Sequence, residues 1–220
     1  MMRSLRPFYY LALVCLILSA GCRKSKQEKA LAEAQPFKVT NLYPIERLPV
    51  YFNRVVVMPV HLGGSAQNIS GFVDDVINQE LAQARLFETV RLSTQSCKSY
   101  FGKERINSSD SLPDNFLEVL KSQTQANGVL FIDILGFKSY RPLSISLRAK
   151  LVDLNSGDFM WAVDETIDSS HASVIAASRL YENTHHVRAL SAKTSSSVLQ
   201  SPRSFTKFSA HKIFTTLPIR

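Results

Sequence analysis

Three groups of side chains in this sequence have types and spacing that could do chemistry. Asp164, Glu165 and Asp168 form an acidic knot; paired carboxylates can divide general-acid and general-base work, and they serve equally as a solvated strand end or a helix cap. His185 and His186 are adjacent, so on a helix their side chains diverge by about 100° and do not chelate one ion as i,i+4 ligands do. Gly63-Gly64-Ser65 could cradle a phosphate, but it lacks both the GxGxxG spacing and a Gly-Lys-Ser/Thr ending, and it reads as a turn. No Gly-x-Ser-x-Gly elbow, Cys-x-x-Cys pair or His-Glu-x-x-His helix occurs. The expectation is a protein that is not an enzyme and that uses no metal and no cofactor.

These residues need elements to position them, and the chain supplies a strand and helix alternation. Residues 23–36 are charged and Ala-rich, which suits a flexible or weakly helical tether, and Pro36, Pro44 and Pro49 punctuate an extended lead-in. Arg54-Val-Val-Val-Met-Pro-Val60 is a β-branched run of the kind buried on both faces of a sheet. Ser70 is expected to cap a helix over 71–86, with Val73, Val76, Ile77, Leu81 and Ala84 inward and Asp74, Asp75, Asn78 and Glu80 outward. Phe87–Leu92 reads as a strand and 93–112 as a long loop. Ser111 is expected to cap a second helix over 112–125, with Pro113 in its first turn, ending at Asn127-Gly128.

Three strands follow, at Val129–Leu135, Leu143–Leu154 and Asp158–Ile167. In the middle one Leu143, Ile145, Leu147, Ala149 and Leu151 alternate with Ser144, Ser146, Arg148 and Lys150, and Asn155-Ser-Gly-Asp158 makes a hairpin turn. Ser170 is expected to cap a helix over 171–189, and Ser201–Leu217 reads as a final helix with Phe205, Phe208 and Ile213 or Phe214 as its stripe. The fold class is therefore α/β (α+β): a single mixed-sheet domain in the order strand, helix, strand, helix, strand, hairpin, helix, with a carboxy-terminal helical tail.

Residues 1–21 open with Arg3 and Arg6, run through the apolar stretch Phe8–Leu18 and finish on Ser19-Ala20-Gly21, the three-part layout of an export signal. Eleven residues from Phe8 to Leu18 would cover only about 16 Å as a helix, roughly half a bilayer core. The boundary Leu18-Ser19-Ala20-Gly21-Cys22 resembles the lipobox of bacterial lipoproteins. That resemblance implies cleavage before Cys22 and loading of its thiol with diacylglycerol and palmitate-type acyl chains, and two or more chains make a stable anchor. In the same family an Asp after the cysteine favours retention in the inner membrane; Arg23-Lys24-Ser25-Lys26 stands here, which implies the periplasmic face of the outer membrane. The expected divisions are 1–21 signal peptide, 22–50 tether and lead-in, 51–190 α/β domain, and 191–220 linker and terminal helix.

With Cys15 in the signal and Cys22 as the anchor, Cys97 is the remaining thiol. It reads as a buried small apolar residue, with a free thiol that pairs between chains as the alternative. The net charge of +8 is concentrated late: from His171 onward seven Lys/Arg stand against Glu182 alone. Among them Arg203, Lys207 and Lys212 are candidate contacts for acidic lipid headgroups, polysaccharide or an acidic protein face rather than nucleic acid. Trp161 and Phe159, on the hairpin, are candidate partner contacts, with a core role the stronger reading for Trp161.

The segments Val55-Val-Val-Met-Pro59, Phe72–Ala84, Ala126–Ile132, Ile145–Leu154 and Gly157–Ala162 together resemble, in layout over about 54–190, the α/β domain of TolB amino-terminal-like lipoproteins, among them the curli-secretion lipoprotein and the penicillin-binding-protein activator lipoprotein. The resemblance implies non-catalytic binding and assembly at the cell envelope, with envelope proteins or cell-wall components as partners and a homo-oligomer as one form of assembly. A pore subunit is disfavoured, because spanning strands need about 9–11 residues and neither Gly136–Arg141 nor Asn155–Asp158 can hold them. The alternatives are an envelope hydrolase using the acids near Asp164–Asp168, or a secretion-complex subunit.

Overall fold

Val55, Val56 and Val57 carry the centre of the molecule. They form strand β2 (Arg54–Val57) and have no more than 1% exposure, as β-branched residues do when both faces of a sheet are covered. The computed structural model describes residues 33–43, 46–186 and 198–219. Within them β2 pairs in parallel with β4 (Glu88–Arg91) on one side and with β5 (Gly128–Lys138) on the other. From β5 the sheet continues antiparallel through β6 (Ser144–Asp153) and β7 (Phe159–Asp168), and β1 (Leu42–Tyr43) closes the edge against β7. The order is β1-β7-β6-β5-β2-β4, with β3 (His61–Leu62) pairing on β5 beyond the end of β2.

The expected α/β class is what the structure shows, and the hairpin is the part read most fully in advance. Along β6 Ile145, Leu147, Ala149 and Leu151 are buried while Ser144, Ser146, Arg148 and Lys150 are only partly covered, and the strand ends on buried Val152 and Asp153. Gly157 takes the left-handed φ of 79° that the turn requires.

Two cores lie on opposite faces of the sheet. Alternate residues of β5 divide between them: Leu130, Ile132 and Ile134 go to one, Val129 and Phe131 to the other. The larger core is covered by α1 (Val73–Ala84), α4 (Ala172–His186) and α5 (Pro202–Phe214), which insert Ile77 and Leu81, Val174 and Ala177, and Phe205 and Phe208 respectively. The smaller core is covered by α2 (Thr94–Phe101) and α3 (Phe116–Thr124) through Cys97, Phe116 and Leu120. The terminal helix is thus part of the larger core. Its N-terminus is capped by Ser201, whose Oγ accepts the Ser204 N–H at 3.4 Å, with Pro202 in the first turn.

Five local expectations are corrected. Residues 93–112 are not all loop: Ser93 Oγ accepts the Ser96 N–H at 2.9 Å and starts α2, a helix hidden by having only Cys97 buried. Ser70 does not cap α1, because Gly64–Ile69 forms a 3-10 helix that ends on it and Phe72 occupies the cap position. Ser111 does not cap α3, which begins at Phe116 after a turn closed by Phe116 N–H to the Pro113 carbonyl. Glu80, expected to face solvent, is buried. Ser170 does not cap α4: it donates its N–H to Asp168, and the helix begins at Ala172 with His171 before it. Cys22, the tether as far as residue 32, Pro44 and the segment 187–197 lie outside the described residues.

Candidate functional site

Glu80 is three residues after Ile77 and four after Val76 on α1, so helix geometry alone puts it on the apolar stripe. Its side chain has no exposed surface. Two pairs at i,i+4 spacing converge on it: Lys207 and His211 from α5, with Tyr181 and His185 from α4 forming the next layer. Lys207 Nζ is 3.6 Å from Oε1, and Gln83 Nε2 donates to the same oxygen at 3.2 Å. Oε2 is left with His211 Nδ1 at 3.4 Å, within ion-pair range but off the hydrogen-bonding axis, and among the described residues it accepts no hydrogen bond. A buried acceptor without a donor costs free energy and is rare in folded chains.

The imidazoles stand beside this carboxylate in fixed orientation. The Tyr181 and His185 rings stack with centroids 4.0 Å apart, and His185 meets His211 edge to face at 4.9 Å. His185 Nδ1 lies 2.9 Å from the Tyr181 carbonyl; a carbonyl can only accept, so Nδ1 carries a proton there. Burial, and then the charge of Glu80, push the Tyr181 hydroxyl well above the usual tyrosine range. Burial pulls the neighbouring Lys212 ammonium below the usual lysine range. A cavity of about 430 Å³ opens here, lined by Glu80, Gln83, His185, His211 and Thr215 and by the apolar Leu86, Phe214, Leu217 and Ile219. A smaller cavity of about 170 Å³, bounded by Tyr181, Thr184 and Lys212, lies against the same two histidines.

Of the residues singled out in the sequence, His185 belongs to this site; the His186 side chain lies outside the described residues. The acidic knot is divided between the two faces of β7. Asp164 takes Arg148 Nε at 2.8 Å and NH2 at 2.6 Å, while Glu165 accepts the Thr40 N–H at 2.8 Å beside β1. Asp168 accepts the Ser170 N–H at 2.7 Å. Gly63 donates its N–H to the Ile134 carbonyl, and a Cβ there would run into the Leu135 carbonyl, so this glycine allows a close approach to β5. Ser65 Oγ accepts the Phe137 N–H.

Trp161 is fully buried and donates Nε1–H to Thr216, whereas Phe159 is 51% exposed; of the two aromatic candidates only Phe159 presents a surface. Arg203 is exposed and sits over the Phe72 ring, while Lys207 and Lys212 are partly covered near Glu80 and the smaller cavity. Cys97 is buried, and burial pushes its thiol up to about 11. Among the described residues no cluster of three His, Cys, Asp or Glu is placed to hold a metal ion, and no helix is long and apolar enough to cross a membrane.

Sequence reading alone missed Glu80, His211 and Tyr181 as a group. The available signal is the position of Glu80, three residues after Ile77 and four after Val76, on the inward face of the helix.

No protein-family model and no curated protein matches the chain. Among solved structures it is similar to the lipoprotein GNA1162 from Neisseria meningitidis, with 16% identity over 63% of this chain and 99% of that one and a TM-score of 0.45. It is also similar to the PelC dodecamer from Paraburkholderia phytofirmans (15% identity, 62% and 87% covered, TM-score 0.41) and to the LpoB C-terminal domain from Escherichia coli (17% identity, 53% and 82% covered, TM-score 0.34). At scores this low the likenesses carry nothing about activity, partner or location.

Proposed function

We propose that this chain is a lipid-anchored protein of the bacterial cell envelope, held through Cys22 on the periplasmic face of the outer membrane, that works by binding other envelope components and not by catalysis. The observation that carries the reading is the run from Phe8 to Cys22, an apolar export segment closed by Leu18-Ser19-Ala20-Gly21-Cys22. The charged, Ala-rich residues 23–36 that follow suit a spacer between a bilayer and a folded domain.

The positions of the acids support the non-catalytic part. A hydrolytic pair needs two carboxyls converging on one substrate atom, and here Asp164 is bonded to Arg148, Glu165 to the backbone of residue 40 and Asp168 to Ser170. Phe159 and Arg203 remain as exposed groups suited to contact with a partner.

The test is the intact mass of the protein extracted from membranes, beside a Cys22→Ala control. A mass beginning at Cys22 with added acyl chains, lost in the control, is the expected result; an unmodified chain sinks the anchor and with it the location. Turnover of peptidoglycan by the purified protein, abolished by Asp164→Ala or Glu165→Ala, would sink the non-catalytic reading separately.

A further inference from the structure

We infer that the cavity beside Glu80 is a binding site for a small organic amine, a cationic donor head on an apolar body. One acceptor defines the head: Glu80 Oε2 is buried and accepts no hydrogen bond among the described residues, and it lies on the wall of the cavity that His185 and His211 also line. A protonated amine has several hydrogens to give and meets a carboxylate in a charge-assisted bond, the stronger kind. An anion would face Oε2 directly, and a purely apolar molecule would leave that oxygen desolvated and unpaired.

Lys207 does not already fill this role. Its ammonium lies nearer Oε1, at 3.6 Å, on a side chain still 42% exposed. The body of the ligand is set by the remaining walls, Leu86, Phe214, Leu217 and Ile219, in a cavity of about 430 Å³. That size falls within the usual range for small-molecule sites, about 300–1,000 Å³, and apolar walls with a few polar groups are the usual lining of such sites. The site is independent of the acyl anchor, since none of its groups lies in the first segment.

Phenethylamine is the probe, added to the purified full chain and followed by saturation-transfer NMR and by the imidazole resonances of His185 and His211. It should saturate and move both histidines. 2-Phenylethanol, of the same shape but uncharged, can still donate one hydrogen bond to the carboxylate but brings no positive charge, and should bind at least about tenfold more weakly, and phenylacetate more weakly still. Glu80→Gln should remove the preference for the amine. Ile219→Arg, at a side chain 60% exposed on the cavity wall, places a repelling charge there without touching the core, and should weaken amine binding even if Glu80→Gln does not fold. Equal binding of phenylacetate, undiminished binding to either variant, or no saturation up to about 10 mM, weaker than a fitted ligand of this size, overturns the proposal.

Discussion

Asp133 and Glu80 are both acids with almost no exposed surface, at 0% and 2%, and the protein treats them in opposite ways. Asp133 points from β5 toward the segment that follows α2. Both of its oxygens accept the Ser108 N–H, at 3.1 and 3.2 Å, and His61 Nδ1 lies 3.9 Å away. Lys150 donates to the Ser108 carbonyl and Arg148 to the Ser109 hydroxyl, so the same short segment is strapped to β6 as well. Asp133 is a tie-down whose acceptors are met. Glu80 is enclosed by helices more distant in sequence, and one of its oxygens is left open. A buried carboxylate with its donors in place fixes a loop, whereas one with an unmet acceptor beside a cavity is available to a ligand.

The largest expected effect tests the wall around Glu80. Phe208→Ala removes a fully buried ring of α5 that meets Tyr181 edge to face at 5.6 Å, and should lower unfolding free energy by about 3–5 kcal/mol. A denaturant midpoint close to that of the unaltered protein would mean that α5 does not hold the wall. Next, Asp133→Ala removes the acceptor of a part-buried backbone N–H and loosens the strap, and should cost about 2–3 kcal/mol. Glu80→Gln should cost less, about 1 kcal/mol, because the amide is the same size and its carbonyl can still accept from Gln83, the loss being the charge that faces the part-exposed Lys207 and His211. Chemical denaturation of the two acid variants side by side decides the matter: a Glu80→Gln cost equal to that of Asp133→Ala breaks the contrast.

The same pair shows what the sequence could and could not convey. The hairpin of β6 and β7 was readable because its contacts are between neighbours in the chain and its period of two is undisturbed from Leu143 to Leu151. The stripe of α5 was readable for a similar reason: Phe205 and Phe208 are spaced one turn apart and follow a serine cap and a proline. α2 was not, since its one buried residue, Cys97, gives no period, although Ser93 at its start was the cue. The type of residue 80 argues for an outward position and its spacing from Val76 and Ile77 for an inward one, and the spacing is the signal that the fold follows. That Lys207 and His211 would lie against it depended on the docking of a helix more than a hundred residues later, which no local pattern encodes.

The smallest effect belongs to an acid that is only partly covered. Asp168 sits at the end of β7, and hydrogen bonds from Ser170 above all, helped by the charges of His171 and Lys138, hold its carboxyl below the usual aspartate range. A carboxyl whose folded value is depressed stabilises the fold when ionised. Its contribution is therefore complete above the unfolded value of about 3.9 and is lost as the pH falls through the folded value. Solvent near the group screens the charges, which keeps the effect below those of the two buried acids. Asp168→Asn should leave stability at pH 7 slightly reduced and make the decline from about pH 4 downward shallower than in the unaltered protein, read from urea midpoints across that range. Superimposable acid limbs would show that Asp168 is not held by Ser170 in solution, and would confine pH sensitivity to groups deeper in the molecule.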